Sequence, residues 1–197
     1  HESPWNYLSS DGLGLLQFLD WCEDLKMQPV LAVYAGYSLR GERVTGDALK
    51  PFVQDALDEI EYVTGDTSTK WGAQRAKDGH PQPFKLTYVE IGNEDQFDRR
   101  DGGTYDVRFT AFYDAIKAKY PQLQCIATTR VRTRTPDVID DHFYRSPAQM
   151  EGDTHHYDKT DRNGPKVFVG EWATRQRADT SLTPDVAEAV SDGAWLT

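Results

Sequence analysis

The chain has 197 residues, of which 38% are hydrophobic and 12% aromatic, enough apolar material for one packed domain and too much for general disorder. Its 22 basic and 32 acidic residues give a formal net charge of −10, which argues against a nucleic-acid surface and a polybasic membrane anchor. No apolar run approaches the ~20 residues of a membrane-spanning helix, so we expect neither nucleic acid nor membrane as a partner.

Helical and strand-like patterns alternate along the first half of the chain. A first helix is predicted after Asp11, a suitable N-cap, and its apolar stripe at helical spacing is ended by Pro29. The apolar run 30–34 then predicts a buried strand. A second helical stripe follows at 49–60, and the polar segment 66–83 is predicted to be a long loop.

The second half continues with a strand, a helix, two strands, a polar loop, a strand and a last helix. In chain order these are predicted at 86–91, 105–116, 124–128, 140–144, 146–164, 167–171 and from Thr183 onward. Strands that alternate with amphipathic helices indicate parallel βα units, which an open doubly wound sheet or a (β/α)8 barrel can build.

The barrel is the better match of these two folds. No Gly-rich nucleotide loop follows any of the strands, so the dinucleotide-binding pattern is absent. About five strands are predicted, whereas a whole barrel has eight strands and about 250 residues. The chain also begins without Met and ends inside a predicted helix. We therefore expect an α/β fold in which residues 1–197 are the central portion of one (β/α)8 catalytic domain of a longer protein.

Two acidic residues occupy equivalent places at the ends of predicted strands. Glu94 follows one strand and Gly92, and Glu171 follows another strand and Gly170. All strands of a parallel barrel end on one face, where active sites form, so both carboxylates are predicted to reach one pocket. Such a pair suits glycoside hydrolysis, in which one carboxyl group donates a proton while the other attacks or activates water. Asn93 adds an amide that can bind a sugar hydroxyl group.

The segments around these residues resemble the catalytic segments of family-51 glycoside hydrolases, the α-L-arabinofuranosidases of a large (β/α)8 clan. The segments are 88–95, YVEIGNED, and 164–173, GPKVFVGEWA. Residues 11–15, DGLGL, 21–25, WCEDL, and 140–144, DDHFY, are also similar to that family. The resemblance covers nearly the whole chain and makes its strands the third to the seventh. It implies that two early strands, the last strand and a β-sandwich domain lie outside the chain.

The resemblance also implies roles for individual residues. Glu94 matches the general acid/base, and Glu171 matches the nucleophile of a retaining double-displacement mechanism. Asn93 matches the amide that contacts the sugar 2-hydroxyl. His142 and Tyr144 match a His and a Tyr on the sixth strand, where their i, i+2 spacing places both side chains on one side. The Tyr is expected to hold the nucleophile's carboxylate, and the His to bind the acid/base or the substrate.

Three aromatic residues are candidates for further sugar contacts. Tyr34 stands where many family members have Asn, which puts one sugar contact in doubt or replaces it with an aromatic surface. Phe97 and Trp172 are candidates for stacking on the apolar face of a sugar. Ordinary core packing explains each of the two equally well.

The implied substrates are terminal α-L-arabinofuranosyl groups on arabinoxylan, arabinan or related plant polysaccharides and oligosaccharides. No cofactor or metal is expected, because two carboxylates carry the proton transfer and the covalent intermediate. Secretion is implied by the family and by its polymeric substrate. Two alternatives stay open: another retaining glycosidase of the clan, such as a β-xylosidase or endoglucanase, or a non-catalytic carbohydrate-binding relative.

Three weaker patterns in the sequence give less support for a functional site. The adjacent pair His155-His156 lies among aspartates but lacks the spacing of a zinc motif, so a solvated loop is favoured. Three arginines of 130–134 could bind an acidic side branch of the substrate, although neutralising the aspartates of 137–141 is the favoured explanation. The two cysteines, Cys22 and Cys125, are expected to be buried thiols rather than a disulfide.

Overall fold

A computed structural model describes residues 8, 10, 12–174 and 186–196, which belong to two compact units, one up to residue 138 and one from residue 139 onward. The first unit contains α1 (Leu15–Asp24), β1 (Val30–Val33), α2 (Lys50–Thr64), α3 (Lys70–Lys77), β2 (Tyr88–Ile91), α4 (Tyr105–Lys119) and β3 (Gln124–Ala127). The second unit is built from β4 (Val138–Arg145), α5 (Pro147–Gly152), β5 (Lys166–Thr174) and α6 (Val186–Leu196).

The three strands of the first unit form a parallel sheet in the order β1-β2-β3. Val33, Ile91 and Ala127 are the last residues of their strands and stand in register. Because the strands are parallel and aligned, the segments that follow them leave the sheet at the same edge. This is the edge at which Asn93 and Glu94 were expected.

The core of the first unit lies between one face of this sheet and the helices. Alternate strand residues are buried there, namely Leu31, Val33, Val89, Ile91, Cys125 and Ala127. They pack with buried residues of α2 and α4, which include Ile60, Phe109, Phe112 and Ile116. Each such side chain contributes roughly 1.5–3 kcal/mol through the area it removes from water. The period-two alternation fixes which strand residues face the helices.

The predicted loop 66–83 is wrong in part, because it contains α3. Thr69 caps this helix and accepts a hydrogen bond from the backbone N–H of Gly72 at 3.1 Å. Arg75 of α3 is fully buried, and its guanidinium donates hydrogen bonds only to backbone oxygens, those of Tyr62, Val63, Gly65, His80 and Pro81. The helix is thus stabilised by contacts with distant segments, which its polar composition does not reveal.

The second predicted loop, 146–164, also contains a helix. Ser146 and Gln149 form a capping box at the start of α5, with the Gln149 side chain accepting from the Ser146 N–H at 3.0 Å. The last predicted strand ends later than expected, since β5 includes Glu171 and continues to Thr174. The cap predicted at Asp11 and the start of the last helix predicted at Thr183 lie outside the described residues.

Both cysteines are free thiols. Cys125 is fully buried in the core, and burial raises its pKa to about 12, while Cys22 is partly buried. The prediction of thiols rather than a disulfide is therefore confirmed. Within the described residues, no helix has both the length and the apolar character needed to cross a bilayer.

Candidate active site

A tight turn after β2 presents Asn93 and Glu94. The strand ends at Ile91, and Gly92 then adopts a φ of 96°. Glu94 has a φ of 51°, in the left-handed region that residues with a Cβ atom seldom occupy. Both Asn93 and Glu94 are partly exposed. Such backbone strain is concentrated at functional sites and persists where the surroundings hold it in place.

The next residue, Asp95, anchors this turn in the protein interior. Its side chain is only 1% exposed and accepts hydrogen bonds from Arg108 of α4 at 2.7 Å and from the Thr128 hydroxyl at 2.8 Å. Burial raises the pKa of Asp95, while the charge and hydrogen bonds of Arg108 and the hydrogen bond of Thr128 oppose that shift. Arg108 also donates to the carbonyl of Ala35 at 2.7 Å. One buried ion pair thus connects the turn to α4, to the end of β3 and to the segment after β1.

A second buried carboxylate extends this network. Asp98 pairs with Arg108 at 3.1 Å and with Arg43 at 3.1 Å, and it accepts hydrogen bonds from the N–H and hydroxyl groups of Thr104. Although burial works to raise the pKa of Asp98, the hydrogen bonds from Thr104 and Arg108 lower it overall. The turn between Gly92 and Asp98 is therefore held in its middle through Asp95 and at its far end through Asp98.

In the second unit, Glu171 of β5 lies beside two side chains of β4. The Tyr144 hydroxyl donates a hydrogen bond to Glu171 Oε2 at 2.7 Å, and His142 Nδ1 lies 3.4 Å from the same oxygen. Glu171 keeps 40% of its side chain exposed, whereas His142 is mostly buried. The predicted contact of Tyr144 with the carboxylate of Glu171 agrees with this geometry. His142 was expected to bind the acid/base or the substrate, and the structure places it beside Glu171 as well.

Behind His142 stands Asp140, a residue that sequence reasoning assigned no role in the site. Its side chain is 2% exposed, and Oδ2 lies 2.7 Å from His142 Nε2 while Oδ1 accepts the Gly170 N–H at 2.7 Å. The two-residue period of the strand could have identified Asp140 as a site residue. Asp140, His142 and Tyr144 are alternate residues of one strand and therefore share a face.

The three predicted aromatic contacts have different surroundings. Tyr34 packs edge-on against Phe52 of α2, with ring centroids 5.2 Å apart, and burial followed by the charge of Glu42 raises its pKa. Phe97 is 52% exposed and Trp172 is 40% exposed. Neither ring is therefore a core residue of its unit.

The histidine pair and the arginines have partners of their own. His155 is exposed and pairs with Asp158 at 2.9 Å, as expected of a solvated loop, whereas His156 packs edge-on against Phe143. The expectation that the arginines of 130–134 neutralise the aspartates of 137–141 is wrong for Arg134. Arg134 pairs with Asp114 through two contacts of 2.7 Å. The aspartates instead contact Lys117, Cys125, His142, Gly170, His156 and Tyr157.

The site residues thus fall into two groups. The first unit holds Asn93 and Glu94, and the second unit holds His142, Tyr144 and Glu171. Asn93 and Glu94 follow β2, as the sequence argument has them, whereas β5 continues three residues past Glu171. The expectation that both carboxylates reach one pocket stays a prediction.

Comparison with protein families places residues 1–162 in the family model described as the alpha-L-arabinofuranosidase 1 domain. Alpha-L-arabinofuranosidase A of Aspergillus kawachii is 43% identical over 200 residues, which cover 96% of this chain and 31% of that protein. Alpha-L-arabinofuranosidase 2 of Arabidopsis thaliana is 37% identical and covers 98% of this chain and 28% of that protein. The chain thus spans about a third of the length of these curated relatives.

Solved structures agree with the sequence comparison. The arabinose-bound family-51 α-L-arabinofuranosidase MgGH51 superposes with a TM-score of 0.85 at 38% identity, covering 98% of this chain and 32% of that one. The arabinose complex of the Thermotoga maritima α-L-arabinofuranosidase shares the fold, with a TM-score of 0.74 at 19% identity, and covers 98% of this chain and 45% of that one. The predicted α/β fold class is confirmed, as the chain has the fold of part of a (β/α)8 barrel.

Proposed function

The chain belongs to the α-L-arabinofuranosidases of glycoside hydrolase family 51, and from that premise we propose the reaction of the protein that contains it. The proposed activity is hydrolysis of terminal α-L-arabinofuranosyl groups from arabinoxylan, arabinan or related plant polysaccharides and oligosaccharides. The proposed mechanism is a double displacement that retains the configuration of the sugar.

In the first step, the Glu171 carboxylate attacks the anomeric carbon, and the bond from that carbon to the leaving oxygen breaks. Glu94 gives its proton to the leaving oxygen. In the second step, water attacks the anomeric carbon and gives its proton to the Glu94 carboxylate, while the bond to Glu171 breaks and its electron pair returns to Glu171. No cofactor and no metal takes part in this scheme.

One observation carries the assignment of Glu171 as the nucleophile, namely the 2.7 Å hydrogen bond that its Oε2 accepts from Tyr144. Together with His142 at 3.4 Å, this contact fixes the carboxylate while leaving two-fifths of the side chain exposed to a substrate. A nucleophile held in one orientation avoids part of the entropy cost of reaching the transition state. The support for Glu94 is its strained turn, which buried Asp95 anchors directly after β2.

The sugar contacts are proposed on the same basis. Asn93 would bind the 2-hydroxyl of the sugar, where a hydrogen bond gains strength in the transition state. The exposed rings of Phe97 and Trp172 suit stacking on a sugar face. Tyr34 packs edge-on against Phe52, so its ring would contribute at most one edge to a ligand.

Three further parts of the proposal concern the whole protein. The remaining strands of the barrel complete the catalytic domain, and a β-sandwich domain accompanies it. The relatives that this chain matches are about three times its length, which leaves room for both. Secretion is proposed because polysaccharide substrates lie outside the cell.

The test uses the full-length protein with a chromogenic α-L-arabinofuranoside. Glu171→Ala should lower kcat by at least about a thousandfold, because the covalent intermediate cannot form. Azide should restore turnover and give a glycosyl azide of inverted configuration, since it attacks from the face that the carboxylate has vacated. Glu151→Ala removes an exposed carboxylate of the same unit and should leave the rate unchanged.

Other outcomes would change the proposal in defined ways. Turnover of a xyloside or a glucoside, but not of the arabinofuranoside, would keep the two-carboxylate mechanism and replace the sugar. A first product of inverted configuration, observed by NMR with the wild-type protein, would contradict the double displacement. No turnover of any of these glycosides would contradict an enzymatic function and favour a carbohydrate-binding protein.

A further inference from the structure

The buried carboxylate of Asp140 lies behind His142, on the side away from Glu171. It is 2% exposed, accepts the Gly170 N–H through Oδ1 at 2.7 Å, and lies 2.7 Å from His142 Nε2 through Oδ2. The other ring nitrogen of His142 lies 3.4 Å from Glu171 Oε2. The imidazole of His142 is therefore flanked by a carboxylate at each of its two nitrogens.

This arrangement restricts the protonation state of His142. An ionised carboxylate can only accept, so the contact with Asp140 requires a hydrogen on Nε2. A neutral ring would then turn the lone pair of Nδ1 towards the carboxylate of Glu171. A doubly protonated ring instead offers N–H groups to both carboxylates, and opposite charges at this range favour the charged form. Tyr144 adds a hydroxyl donor to the same oxygen of Glu171.

We propose that Asp140 is a positioning residue that keeps His142 doubly protonated beside Glu171. The pair of Asp140 and His142 then stabilises the Glu171 carboxylate as it leaves the sugar in the second step. The inference rests on the proposed double displacement. In that step, negative charge returns to Glu171 as its bond to the anomeric carbon breaks. A charged donor stabilises this developing charge more strongly than a neutral one. The proton of His142 stays on the ring throughout, because the proton of the attacking water goes to Glu94.

The identity of residue 170 agrees with this role for Asp140. A Cβ atom on Gly170 would lie 2.7 Å from Asp140 Oδ1 and 3.0 Å from Oδ2, closer than a side chain normally approaches. Glycine therefore lets the backbone of β5 donate directly to the buried carboxylate. Asp140 is held by β5 on one oxygen and directs His142 with the other.

The test compares Asp140→Asn with Asp141→Asn in the full-length protein. The amide introduced by Asp140→Asn would still accept from Gly170, but its NH2 group requires an unprotonated Nε2, so His142 becomes neutral. We expect kcat on an aryl arabinofuranoside to fall about tenfold, and KM to fall in parallel as the covalent intermediate accumulates. A burst of aglycone should appear, with kcat/KM changed less than about threefold. Asp141 accepts instead from Tyr157 at 3.0 Å, so its variant should keep the wild-type constants.

A double-mutant cycle tests whether Asp140 acts through His142. In the His142→Ala background, Asp140→Asn should cause no further loss of kcat, because no imidazole remains to be charged. The same fractional loss of kcat from Asp140→Asn in the wild-type and His142→Ala backgrounds would overturn the proposal. So would a lower kcat/KM with a higher KM and no burst, which is the pattern of general disorder in the site.

A spectroscopic measurement on the wild-type protein does not depend on the folding of any variant. With ¹⁵N-labelled histidine, the resonances of His142, identified by their absence in His142→Gln, should show both nitrogens protonated at a pH at which the enzyme is active. A neutral ring at that pH would overturn the inference. Failure of the proposed function is separate, because it shows in the wild-type protein itself, as a first product of inverted configuration or as no turnover of any glycoside.

Discussion

Backbone conformation at two residues of one turn decides where the Glu94 side chain begins. Gly92 has a φ of 96°, and Glu94 has a φ of 51°. Both the positive φ and the lack of space favour glycine at position 92, since a Cβ atom there would lie 2.1 Å from Asp95 Oδ2. Asp95 cannot easily give way, because Arg108 and Thr128 hold its buried carboxylate.

Replacing Gly92 with Ala should therefore affect both stability and activity. The left-handed backbone costs a residue with a Cβ atom about 1–2 kcal/mol, and displacing the ion-paired Asp95 adds to this, so we expect about 3 kcal/mol in the free energy of unfolding. We also expect kcat to fall more than tenfold, because Glu94 moves with the turn. Urea denaturation and turnover of a chromogenic arabinofuranoside measure the two effects.

Gly46→Ala is the matched control for this change. Gly46 has a φ of 62°, but nothing lies within 4 Å of its added Cβ atom, so only the backbone cost applies. Its variant should lose about 1 kcal/mol of stability and keep its kcat. Equal losses of kcat in the two variants would show that strain at any glycine, rather than the contact with Asp95, explains the effect.

At the residue scale, the sequence predicts contacts that follow from a strand's period and misses those that depend on burial. The i, i+2 spacing of His142 and Tyr144 was enough to place both on one side of their strand, and Tyr144 does contact Glu171. The 3.4 Å contact of His142 with the same carboxylate was not predicted. Asp140 shares that spacing, but in the sequence it is one of two adjacent aspartates near several arginines. Only the structure distinguishes it from Asp141, which faces Tyr157.

At the scale of elements, α3 shows how a polar segment can hold a helix in place. Arg75 is fully buried, yet the acceptors of its five hydrogen bonds are all backbone carbonyl oxygens, from the end of α2 and from residues 80–81. Those carbonyls would otherwise be buried or poorly solvated at a helix end. Burial lowers the pKa of Arg75. Its hydrogen bonds connect α2, α3 and the segment that leads to β2.

Arg75→Lys should loosen this region without unfolding the rest of the unit. A single ammonium group cannot reach carbonyls on several sides, so buried acceptors lose their donors, at a cost of about 3 kcal/mol. Amide hydrogen exchange of residues 65–83 should therefore be about a hundredfold faster, while exchange of β2 and β3 changes little. Arg134→Lys is the matched control, since its pair with Asp114 lies at the surface and contributes little. Equal protection of 65–83 in wild type and Arg75→Lys would contradict this role.

The strands and the long helices were predictable because their apolar residues repeat with a clear period. All five strands were located to within about three residues at either end. The helix at 70–77 has no such repeat, and its stabilising contacts reach residues as far as thirteen positions away. Long-range hydrogen bonds from one arginine override local propensity, and the sequence contains no local signal for them.

At the scale of the whole chain, the dominant property is a formal net charge of −10. The arginines of 130–134 are a cluster that could have bound an acidic polymer. Of these, Arg134 donates to Asp114 from Nε and Nη2 and to the Thr133 carbonyl from Nη1, and the backbone N–H of Arg132 donates to Asp106. A negatively charged surface repels polyanions over about one Debye length, which is about 30 Å at 0.01 M salt and about 8 Å at 0.15 M.

On the proposed function, and where the charge of this chain dominates near the substrate, release of arabinose from a pectic polymer that carries uronic acids should depend on salt. Between about 0.01 M and about 0.15 M ionic strength, kcat/KM on that polymer should rise severalfold, as screening removes the repulsion between enzyme and substrate. With neutral arabinan, kcat/KM should stay constant, because no charge on the substrate needs screening. A small chromogenic arabinofuranoside is a second control, which shows whether salt affects the chemical step itself. If activity on the pectic polymer instead fell with salt, a basic subsite would be attracting the uronate groups. The exposed arginines Arg130 and Arg132 would then be the first residues to replace.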